Sequence, residues 1–210
     1  MNRVVIYTKE RIQQALELPD FDVPAAHALM TPITRGSRPA DMPGQAKQGA
    51  VLAIIYAKDD RGYVVLTRRR HDLNNHAGQI SFPGGQQEPG ESRQITALRE
   101  AQEEIGVLPE NLDLLGHLST IYIPPTDFEV HPFVAWHLGS PSFIPQDSEV
   151  AEILEVPLTV LLEPAARQVE IWDIRGRALE IPFYSIGEHK IWGATAIIMS
   201  ELIERLKAVT

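Results

Sequence analysis

Residues 85–107 read GQQEPGESRQITALREAQEEIGV, and this stretch carries the strongest signals in the chain for both its fold and its chemistry. The segment from Ser92 to Ile105 is predicted to be an α-helix. Ser92 is a suitable N-cap, and Gly106 falls just past the helix end, where a positive φ angle is needed. At 100° per residue, one face of this helix is apolar and should dock on a sheet. That face carries Ile95, Leu98, Ala101 and Ile105.

The opposite face of the predicted helix carries three carboxylates. Glu100, Glu103 and Glu104 fall within an arc of about 100°. Like charges at this spacing destabilise a helix by roughly a few tenths of a kcal/mol each, so something should offset their repulsion. Mg²⁺ is a good candidate, because it prefers carboxylate oxygens together with substrate phosphates. The alternative is that the three side chains form an ordinary solvated face.

Strand signals lie on both sides of this helix. Residues 50–57 (AVLAIIYA) form a near-continuous apolar run, which indicates a strand buried on both faces. Residues 59–62 (DDRG) indicate a turn, and residues 63–67 (YVVLT) the returning strand of a hairpin. Later strands are predicted at 112–121, 129–137 and 181–184. Residues 149–162 predict short strand or helix pieces broken at Pro157.

Helices are predicted near both ends of the chain. The first covers residues 8–18 and carries Ile12, Ala15 and Leu16 on one side. The last covers residues 195–209, with one face formed by Ile198, Leu202, Ile203 and Leu206. Between them, the proline-rich residues 19–47 predict an irregular arm with one short helix near residues 25–30. Strands with interspersed helices indicate a layered α/β domain.

The composition narrows the classes of function. The chain has 210 residues, a net charge of −9 and no cysteine, so neither a disulfide framework nor thiolate chemistry is expected. The acidic balance disfavours a nucleic-acid partner, whereas a phosphorylated substrate stays compatible because a bound metal supplies positive charge. Neither a membrane-length apolar run nor a signal peptide is recognisable, so we expect a cytoplasmic protein without a membrane partner.

The spacing within residues 85–107 resembles the complete signature box of the Nudix hydrolase superfamily. The two aliphatic positions of that pattern are filled by Ala101 and Val107. Its fixed positions are filled by Gly85, Glu91, Arg99, Glu100, Glu103, Glu104 and Gly106.

The resemblance implies a role for each box residue. Glu100, Glu103 and Glu104 should bind one or more Mg²⁺ or Mn²⁺ ions, with the Gly85 carbonyl as an extra ligand. Either Glu103 or Glu100 should double as the base. Arg99 should pair with Glu91 and hold the preceding loop against the helix.

The resemblance also implies the fold and the boundaries of the domain. We expect an α/β/α sandwich around a mixed β-sheet, with residues 47–210 as the Nudix domain. Residues 1–46 would form an N-terminal helix and proline-rich arm. That arm either packs on the domain or joins a dimer interface, since homodimers are common in the superfamily.

The segment just upstream, LTRRRHDLNNHAGQISFPGGQQEPGE at residues 66–91, resembles the one preceding the box in coenzyme A pyrophosphatases. Residues 131–134, 149–162 and 191–196 resemble further parts of that family. The chain differs at Arg70 and Asn74, where the family usually has serine and arginine, and at Thr126-Asp127-Phe128, where it usually has Ser-Gly-Phe. The shared positions are Leu66, Thr67, Arg69, Leu73, His76, Gly78, Gln79, Phe82, Pro83, Gly84 and Gly85.

This second resemblance implies a substrate with an additional phosphate, which arginine forks suit well. The candidate substrate-binding residues are Arg68, Arg69, Arg70, His76 and Gln79. In an extended strand, Arg68 and Arg70 would point one way and Arg69 the other. Surface ion pairs are the alternative role for each arginine, and loop support is the alternative for His76. Glu149 or Glu152 could add another carboxylate at the site or lie on the surface.

Three other interpretations fit parts of the pattern. A Nudix hydrolase for ADP-ribose, NADH or another nucleoside diphosphate derivative is the main alternative, because of Arg70 and Asn74. A non-catalytic Nudix ligand sensor usually loses box residues, whereas this chain keeps every ligand position. An isopentenyl diphosphate isomerase shares the fold but relies on a catalytic cysteine, which this chain lacks.

Overall fold

The computed structural model of this chain describes residues 7–32, 44–72, 78–174 and 176–209. Within these ranges the helices are Lys9–Leu16 (α1), Val23–Ala28 (α2), Arg93–Ile105 (α3), Leu158–Leu162 (α4) and Gly193–Ala208 (α5). The strands are Lys47–Lys58 (β1), Arg61–Arg69 (β2), Ile80–Ser81 (β3), Gly84–Gln86 (β4), Leu112–His117 (β5), Ile121–Ile123 (β6), Phe128–His137 (β7), Val150–Pro157 (β8), Arg167–Ile174 (β9), Arg177–Ile186 (β10) and His189–Trp192 (β11).

A mixed sheet of eight of the described strands forms the centre of the molecule. Its main path runs β3-β2-β1-β7-β5, while β4 pairs with β1, β6 with β7 and β8 with β2. Strands β1 and β7 run parallel, and the neighbouring pairs β1–β2 and β5–β7 run antiparallel. The predicted burial on both faces is confirmed for residues 52–56, which are fully buried, whereas Val51 is partly buried and Ala57 is exposed.

Helices cover both faces of this sheet. On one face α3 packs against β1, in a cluster that includes Leu52, Ile54, Ala97, Ala101 and Ile105. On the other face α5 packs together with α1 and α4, in a second apolar cluster. The predicted α/β/α sandwich around a mixed sheet is therefore confirmed.

The docked face of α3 differs from the predicted one. Ile95 is 54% exposed, so its assignment to the docked face was wrong. The buried positions of the helix are instead Thr96, Ala97, Ala101, Glu104 and Ile105. This face is centred on two alanines, whose small side chains let the helix axis approach the sheet closely. As a result, the carboxylate of Glu104 falls inside the packed interface.

Several other predicted elements are confirmed with changed limits. The hairpin after β1 turns at Asp59 and Asp60, which adopt φ angles of 50° and 59°, so Gly62 belongs to strand β2. The predicted strand at 112–121 is interrupted and divides into β5 and β6. Residues 149–162 form β8 followed by α4, with Pro157 at the junction.

A second sheet was only partly predicted. Residues 181–184 belong to the longer strand β10, which pairs with β9 and β11 in the order β11-β10-β9. Neither β9 nor β11 was predicted. In β9 the sequence RQVEIWDI places apolar side chains on both faces of the strand, and two of them are exposed. The hydrophobic alternation that marks a half-buried strand is therefore weak in β9.

The N-terminal helices pack on α5. Helix α1 ends at Leu16 rather than residue 18, and it buries Ile12 and Ala15 as predicted. Helix α2 begins at Val23, two residues before the predicted start, behind the N-cap Asp22. The arm was expected either to pack on the domain or to join a dimer interface. Its described helices pack on the domain. No helix of the described residues is long and apolar enough to cross a membrane.

A buried carboxylate ties the N-terminal helices to α5. The fully buried Glu201 accepts hydrogen bonds from the Ser119 amide at 3.1 Å and from Arg205 Nε at 3.0 Å. Its Oε2 lies 2.8 Å from His27 Nε2 in α2. Burial alone would raise the pKa of Glu201, but these partners together hold that pKa below its ordinary value. The ionised carboxylate is therefore the form that the fold stabilises.

Replacing Glu201 with alanine should lower the free energy of unfolding by about 3 kcal/mol, because it leaves Arg205 without its buried counter-ion. Urea denaturation followed by circular dichroism measures this loss. Glu204→Gln, on the same helix but partly exposed, is the matched control and should cost less than about 1 kcal/mol. Equal losses for the two variants would contradict the importance of the buried network.

Candidate active site

Helix α3 is held at both ends by the residues that the sequence predicts. The Ser92 hydroxyl accepts a hydrogen bond from the Ile95 amide at 3.3 Å, and Gly106 ends the helix with a φ angle of 69°. The carbonyls of Glu104 and Ile105 accept hydrogen bonds from Gln146 and Ile144, at 2.8 and 2.9 Å. The segment leading to β8 is therefore fixed against the C-terminal end of α3.

Arg99 joins the loop before α3 to the acidic face of the helix. Its Nε donates to Glu91 Oε1 at 2.7 Å, and its Nη2 donates to Glu91 Oε2 at 3.2 Å. Its Nη1 donates to Glu100 at 3.0 Å and to Glu103 at 2.9 Å. One guanidinium group thus contacts three carboxylates of the box and fixes their relative positions.

Glu91 is further held by two neighbours. The Thr96 hydroxyl donates to its Oε2 at 2.9 Å, and the Glu88 amide donates to the same oxygen at 3.1 Å. The hydrogen bond from Arg99 is the largest cause that lowers the pKa of Glu91, which falls to about 2. The same contact raises the pKa of Arg99. The pair is therefore fully charged at neutral pH.

Glu104 lies deepest of the three acidic residues on α3. Burial, followed by the nearby negative charges of Glu100 and Glu149, raises its pKa to about 8. The Gly84 amide and Arg69 act in the opposite direction. Burial is also the largest cause that raises the pKa of Glu100. A positive charge placed among these carboxylates would stabilise their ionised forms.

Glu103 differs from its two neighbours, because its side chain is 59% exposed. The acidic face therefore grades from the buried Glu104 through Glu100, whose side chain is 17% exposed, to the solvent-exposed Glu103. As the side chains stand, Arg99 draws Glu100 and Glu103 together. Among the described residues, no three acidic or histidine side chains already surround one point as metal ligands do.

Two glycines let strand β4 approach α3 and β1 closely. A Cβ atom at Gly85 would overlap the carboxyl group of Glu100. A Cβ atom at Gly49, on β1, would lie 2.7 Å from the Gly85 carbonyl oxygen. The space beside Glu100 therefore depends on the absence of a side chain at Gly85, and the position of the Gly85 carbonyl depends on its absence at Gly49. With the carboxylates, the Gly85 backbone gives an all-oxygen donor set, which suits a hard divalent cation.

Glu149 and Glu152 lie on opposite faces of the sheet, beside strand β2. Glu149 raises the pKa of both Glu100 and Glu104, and Arg69 Nη1 donates to its Oε2 at 3.4 Å. Glu152 instead accepts from Arg68 Nε at 2.8 Å. Its other oxygen lies 3.5 Å from His189 Nε2 in the second sheet. The structure thus brings Glu149, and not Glu152, to the acidic face of α3.

The three consecutive arginines separate in the way that an extended strand predicts for Arg68 and Arg69. Arg69 points to the face of the sheet that α3 covers, and Arg68 points to the opposite face. Arg70 is tied to Asp72, with contacts of 2.9 and 2.8 Å, and it donates to the Asp147 carbonyl at 2.7 Å. Each arginine therefore has an ion-pair partner, as the alternative interpretation supposed.

The remaining predicted residues are described in part. The Gln79 carbonyl accepts a hydrogen bond from the Arg69 amide at 2.9 Å, which places Gln79 beside the end of β2. His76 and Asn74 lie outside the described residues. Thr67 was not among the predicted site residues, yet its hydroxyl lies 3.5 Å from Glu104 Oε2. Its place two positions before Arg69 on the same strand was the available signal.

Comparison with known proteins connects this arrangement to a family. A family model described as NUDIX domain matches residues 46–173. An uncharacterized Nudix hydrolase NudL from Photorhabdus laumondii is 35% identical, over 77% of this chain and 86% of that relative. A NudL protein from Pectobacterium atrosepticum is 38% identical, over 75% of this chain and 82% of the relative.

Solved structures show the same fold. A MutT/nudix family protein from Enterococcus faecalis superposes with a TM-score of 0.58 at 16% identity, covering 97% of this chain and 76% of that protein. A MutT protein from Methanosarcina mazei superposes with a TM-score of 0.52 at 20% identity, covering 80% of this chain and 97% of that protein. At these identities the likeness concerns the fold alone.

Replacing Glu91 with glutamine should remove a pH-dependent part of the stability. The folded-state pKa of Glu91 is about 2, below the ordinary value of 4.5. The stabilisation is therefore complete above pH 4.5 and is lost as the pH falls towards 2. The difference in unfolding free energy between the wild type and Glu91→Gln should shrink across that window, as measured by urea titrations at several pH values. Glu88→Gln is the exposed control, and a pH-independent difference for Glu91→Gln would contradict the assignment.

Proposed function

This chain belongs to the Nudix hydrolase family, and we propose that it cuts the diphosphate linkage of coenzyme A. The family identifies it as a pyrophosphohydrolase that acts on nucleoside diphosphate derivatives. The proposed products are 4'-phosphopantetheine and adenosine 3',5'-bisphosphate. The observation that supports coenzyme A is the segment at residues 66–85, whose end packs directly against the acidic face of α3.

We further propose that Glu100, Glu103 and Glu104, with the Gly85 carbonyl, hold one or more Mg²⁺ or Mn²⁺ ions. The burial of Glu104 beside Glu100 and Glu149 supports this assignment, because concentrated negative charge away from water requires a compensating cation. When bound, such an ion neutralises the diphosphate oxygens and lowers the pKa of coordinated water. Glu149 supplies a further carboxylate at the edge of the same group.

The reaction is an attack of water on one phosphorus of the diphosphate. A new P–O bond forms to the water oxygen, the bridging P–O bond breaks, and both products leave as phosphomonoesters. A carboxylate takes the proton that the water gives up, and Glu103 or Glu100 has this role. The exposure of Glu103 favours it, because a base that solvent reaches can pass the proton on. Arg99 orients both candidates through its Nη1.

The substrate specificity is assigned to residues near the end of β2. The adenosine half of coenzyme A carries a 3'-phosphate beyond the diphosphate, and arginine forks bind such groups well. The proposed contacts are Arg68, Arg69, Arg70, His76 and Gln79. Arg69 lies on the same side of the sheet as the acidic face, so we place it, among these three arginines, nearest to the diphosphate. ADP-ribose and NADH, the alternative substrates, lack the 3'-phosphate.

Glu103→Gln should reduce turnover by at least about 100-fold, because the amide neither binds a cation as strongly nor accepts a proton. Release of phosphomonoester products by the purified protein with Mg²⁺ or Mn²⁺ measures this loss. Glu110→Gln, an exposed glutamate just beyond α3, is the matched control and should keep full activity. Near-wild-type turnover for Glu103→Gln would refute its role.

A second measurement separates cation binding from catalysis. With Mn²⁺ at about 100 times its Kd, the melting temperature of the wild type should rise by roughly 5–10 °C. Glu104→Gln should show a much smaller rise, while Glu110→Gln should keep the full one. Equal rises in all three proteins would contradict the proposed ligands, whatever their activities.

Coenzyme A should be hydrolysed with a higher kcat/KM than ADP-ribose or NADH, with products resolved by chromatography. Dephospho-coenzyme A, which lacks only the 3'-phosphate, is the matched substrate. If arginines bind that phosphate, its kcat/KM should fall by about 10-fold or more, the equivalent of one charge-assisted contact. If ADP-ribose or NADH is preferred, the chain is still a Nudix hydrolase, but the assignment of coenzyme A is wrong. Arg70 and Asn74 are then the first residues to examine for the altered specificity.

A further inference from the structure

Arg93, the first residue of α3, is an exposed arginine whose charge is not offset by a carboxylate. Its Nη2 donates to Gln48 Oε1 at 3.0 Å, and no carboxylate of the described residues lies within ion-pair distance of its guanidinium group. Arg68, Arg69 and Arg70 each lie beside a carboxylate instead. Because a guanidinium group has five N–H donors, Arg93 keeps both its charge and most of its donors for a ligand.

The Gln48 amide that holds Arg93 is itself fixed at both ends. Its Nε2 donates to the Ala46 carbonyl at 3.0 Å and to Glu129 Oε2 at 3.0 Å. Its Oε1 accepts from Arg93 and lies 2.9 Å from His131 Nε2. Since the amide nitrogen faces two acceptors and the amide oxygen can only accept, His131 Nε2 must carry the proton and donate it to Gln48.

His131 completes a network in which every hydrogen bond has one direction. With its Nε2 donating, its Nδ1 accepts from the Thr120 hydroxyl, which lies 2.9 Å away. Burial, followed by the charge of Arg93, lowers the pKa of His131, so the neutral imidazole that this pattern requires is the favoured form. Glu129 binds the opposite end of the Gln48 amide. Arg93 is therefore held by a neutral oxygen and is not paired with an acid.

Arg93 lies in line with the acidic face of α3. Seven residues separate it from Glu100, so the helix turns by about 700°, close to two full turns, and advances by about 10 Å. The Gln87 amide donates to the Gln48 carbonyl at 2.9 Å, just beyond the strand that bears Gly85. A group bound at Arg93 would thus lie about two helical turns from the acidic cluster and on the same side of the helix.

We propose that Arg93 binds the phosphate of the substrate that lies outside the diphosphate, which in coenzyme A is the 3'-phosphate of the adenosine. This inference rests on the proposed function and names the residue that reads the additional phosphate. A planar guanidinium group matches the oxygens of a phosphomonoester. Arg68, Arg69 and Arg70 would each have to share or release a carboxylate to make this contact, whereas Arg93 keeps its bond to Gln48. A side chain that is held in advance also loses less conformational entropy on binding.

Isothermal titration calorimetry with adenosine 3',5'-bisphosphate and with AMP measures this contact without turnover. The wild type should bind the bisphosphate about 10-fold more tightly than AMP or better, the equivalent of one charge-assisted contact. Arg93→Gln should bring the two affinities to within about 2-fold of each other and leave that for AMP unchanged. Arg177→Gln is the matched control, because Arg177 is exposed in the second sheet and likewise has no ion-pair partner among the described residues.

Two results of this titration would overturn the inference. One is a wild type that binds the bisphosphate and AMP equally. The other is an Arg93→Gln variant that keeps the full preference of the wild type for the bisphosphate.

Hydrolysis of coenzyme A and of dephospho-coenzyme A separates this inference from the proposed function. Arg93→Gln should lower kcat/KM for coenzyme A by about 10-fold or more, mainly through KM, and change that for dephospho-coenzyme A by less than about 2-fold. Gln48→Ala, which no longer holds the guanidinium group, should show the same selective loss to a smaller degree.

The outcomes of the two measurements are distinct. If the wild type hydrolyses coenzyme A and Arg93→Gln loses activity equally on both substrates, the proposed function stands and the inference is wrong. If the wild type does not hydrolyse coenzyme A, the proposed function is wrong, and the titration with the bisphosphate still decides the role of Arg93.

Discussion

The site depends on one carboxylate that is packed into the interface between α3 and the central sheet. Ala97 and Ala101 bring the helix close to β1, and the same helical face carries Glu104 into that interface. Burying a charged group is costly unless an opposite charge or several hydrogen bonds compensate it. The Gly84 amide and Arg69 compensate in part, and the raised pKa of Glu104 reflects what remains. The divalent cation proposed above would supply the compensation that these two groups leave missing.

The residues around Glu104 hold the neighbouring carboxylates in place. Arg99 spans Glu91, Glu100 and Glu103, so the preceding loop and two turns of α3 are bound to one planar group. A side chain at Gly85 would overlap the carboxyl group of Glu100, and one at Gly49 would overlap Phe128 and press on the Gly85 carbonyl. The segment that bears Glu149 is fastened to the end of α3 through backbone hydrogen bonds. The loop before α3, the helix itself, strands β1 and β4 and the segment with Glu149 therefore meet at one place.

The parts of the fold that could be predicted are those with strong periodicity or strong capping residues. The apolar run of β1 and the capped helix α3 gave clear signals, and both were confirmed. The docked face of α3 was harder, because Ile95 looks suitable by hydrophobicity and only the packing against β1 shows that the alanines define the face. The choice between Glu149 and Glu152 required the pairing of β2 with β8, which brings Arg68 and Glu152 together. Strand β9 gave no clear pattern because its apolar residues lie on both faces, and β11 has only four residues, too few to show a period, although its Ile191 is fully buried.

One departure from the family pattern has a physical explanation. Asp127 stands where coenzyme A pyrophosphatases usually have glycine, and it adopts the left-handed conformation with φ 50° and ψ 53°. Aspartate tolerates this region better than most side chains. The turn before β7 is thus kept with a different residue, and the difference says little about substrate choice. The departures at Arg70 and Asn74 fall in the segment that resembles the one preceding the box in coenzyme A pyrophosphatases, and they bear on it more directly.

The meeting of α1 and α2 with α5 has a consequence for how the protein is made. Ala26 and Ser200 are joined by a hydrogen bond of 2.7 Å, although 174 positions separate them. During synthesis on the ribosome, α2 lacks its packing surface, and α1 has only its contact with β5, until α5 has left the exit tunnel. The final layer of the sandwich is thus completed after translation has passed residue 208, however early its first half was made.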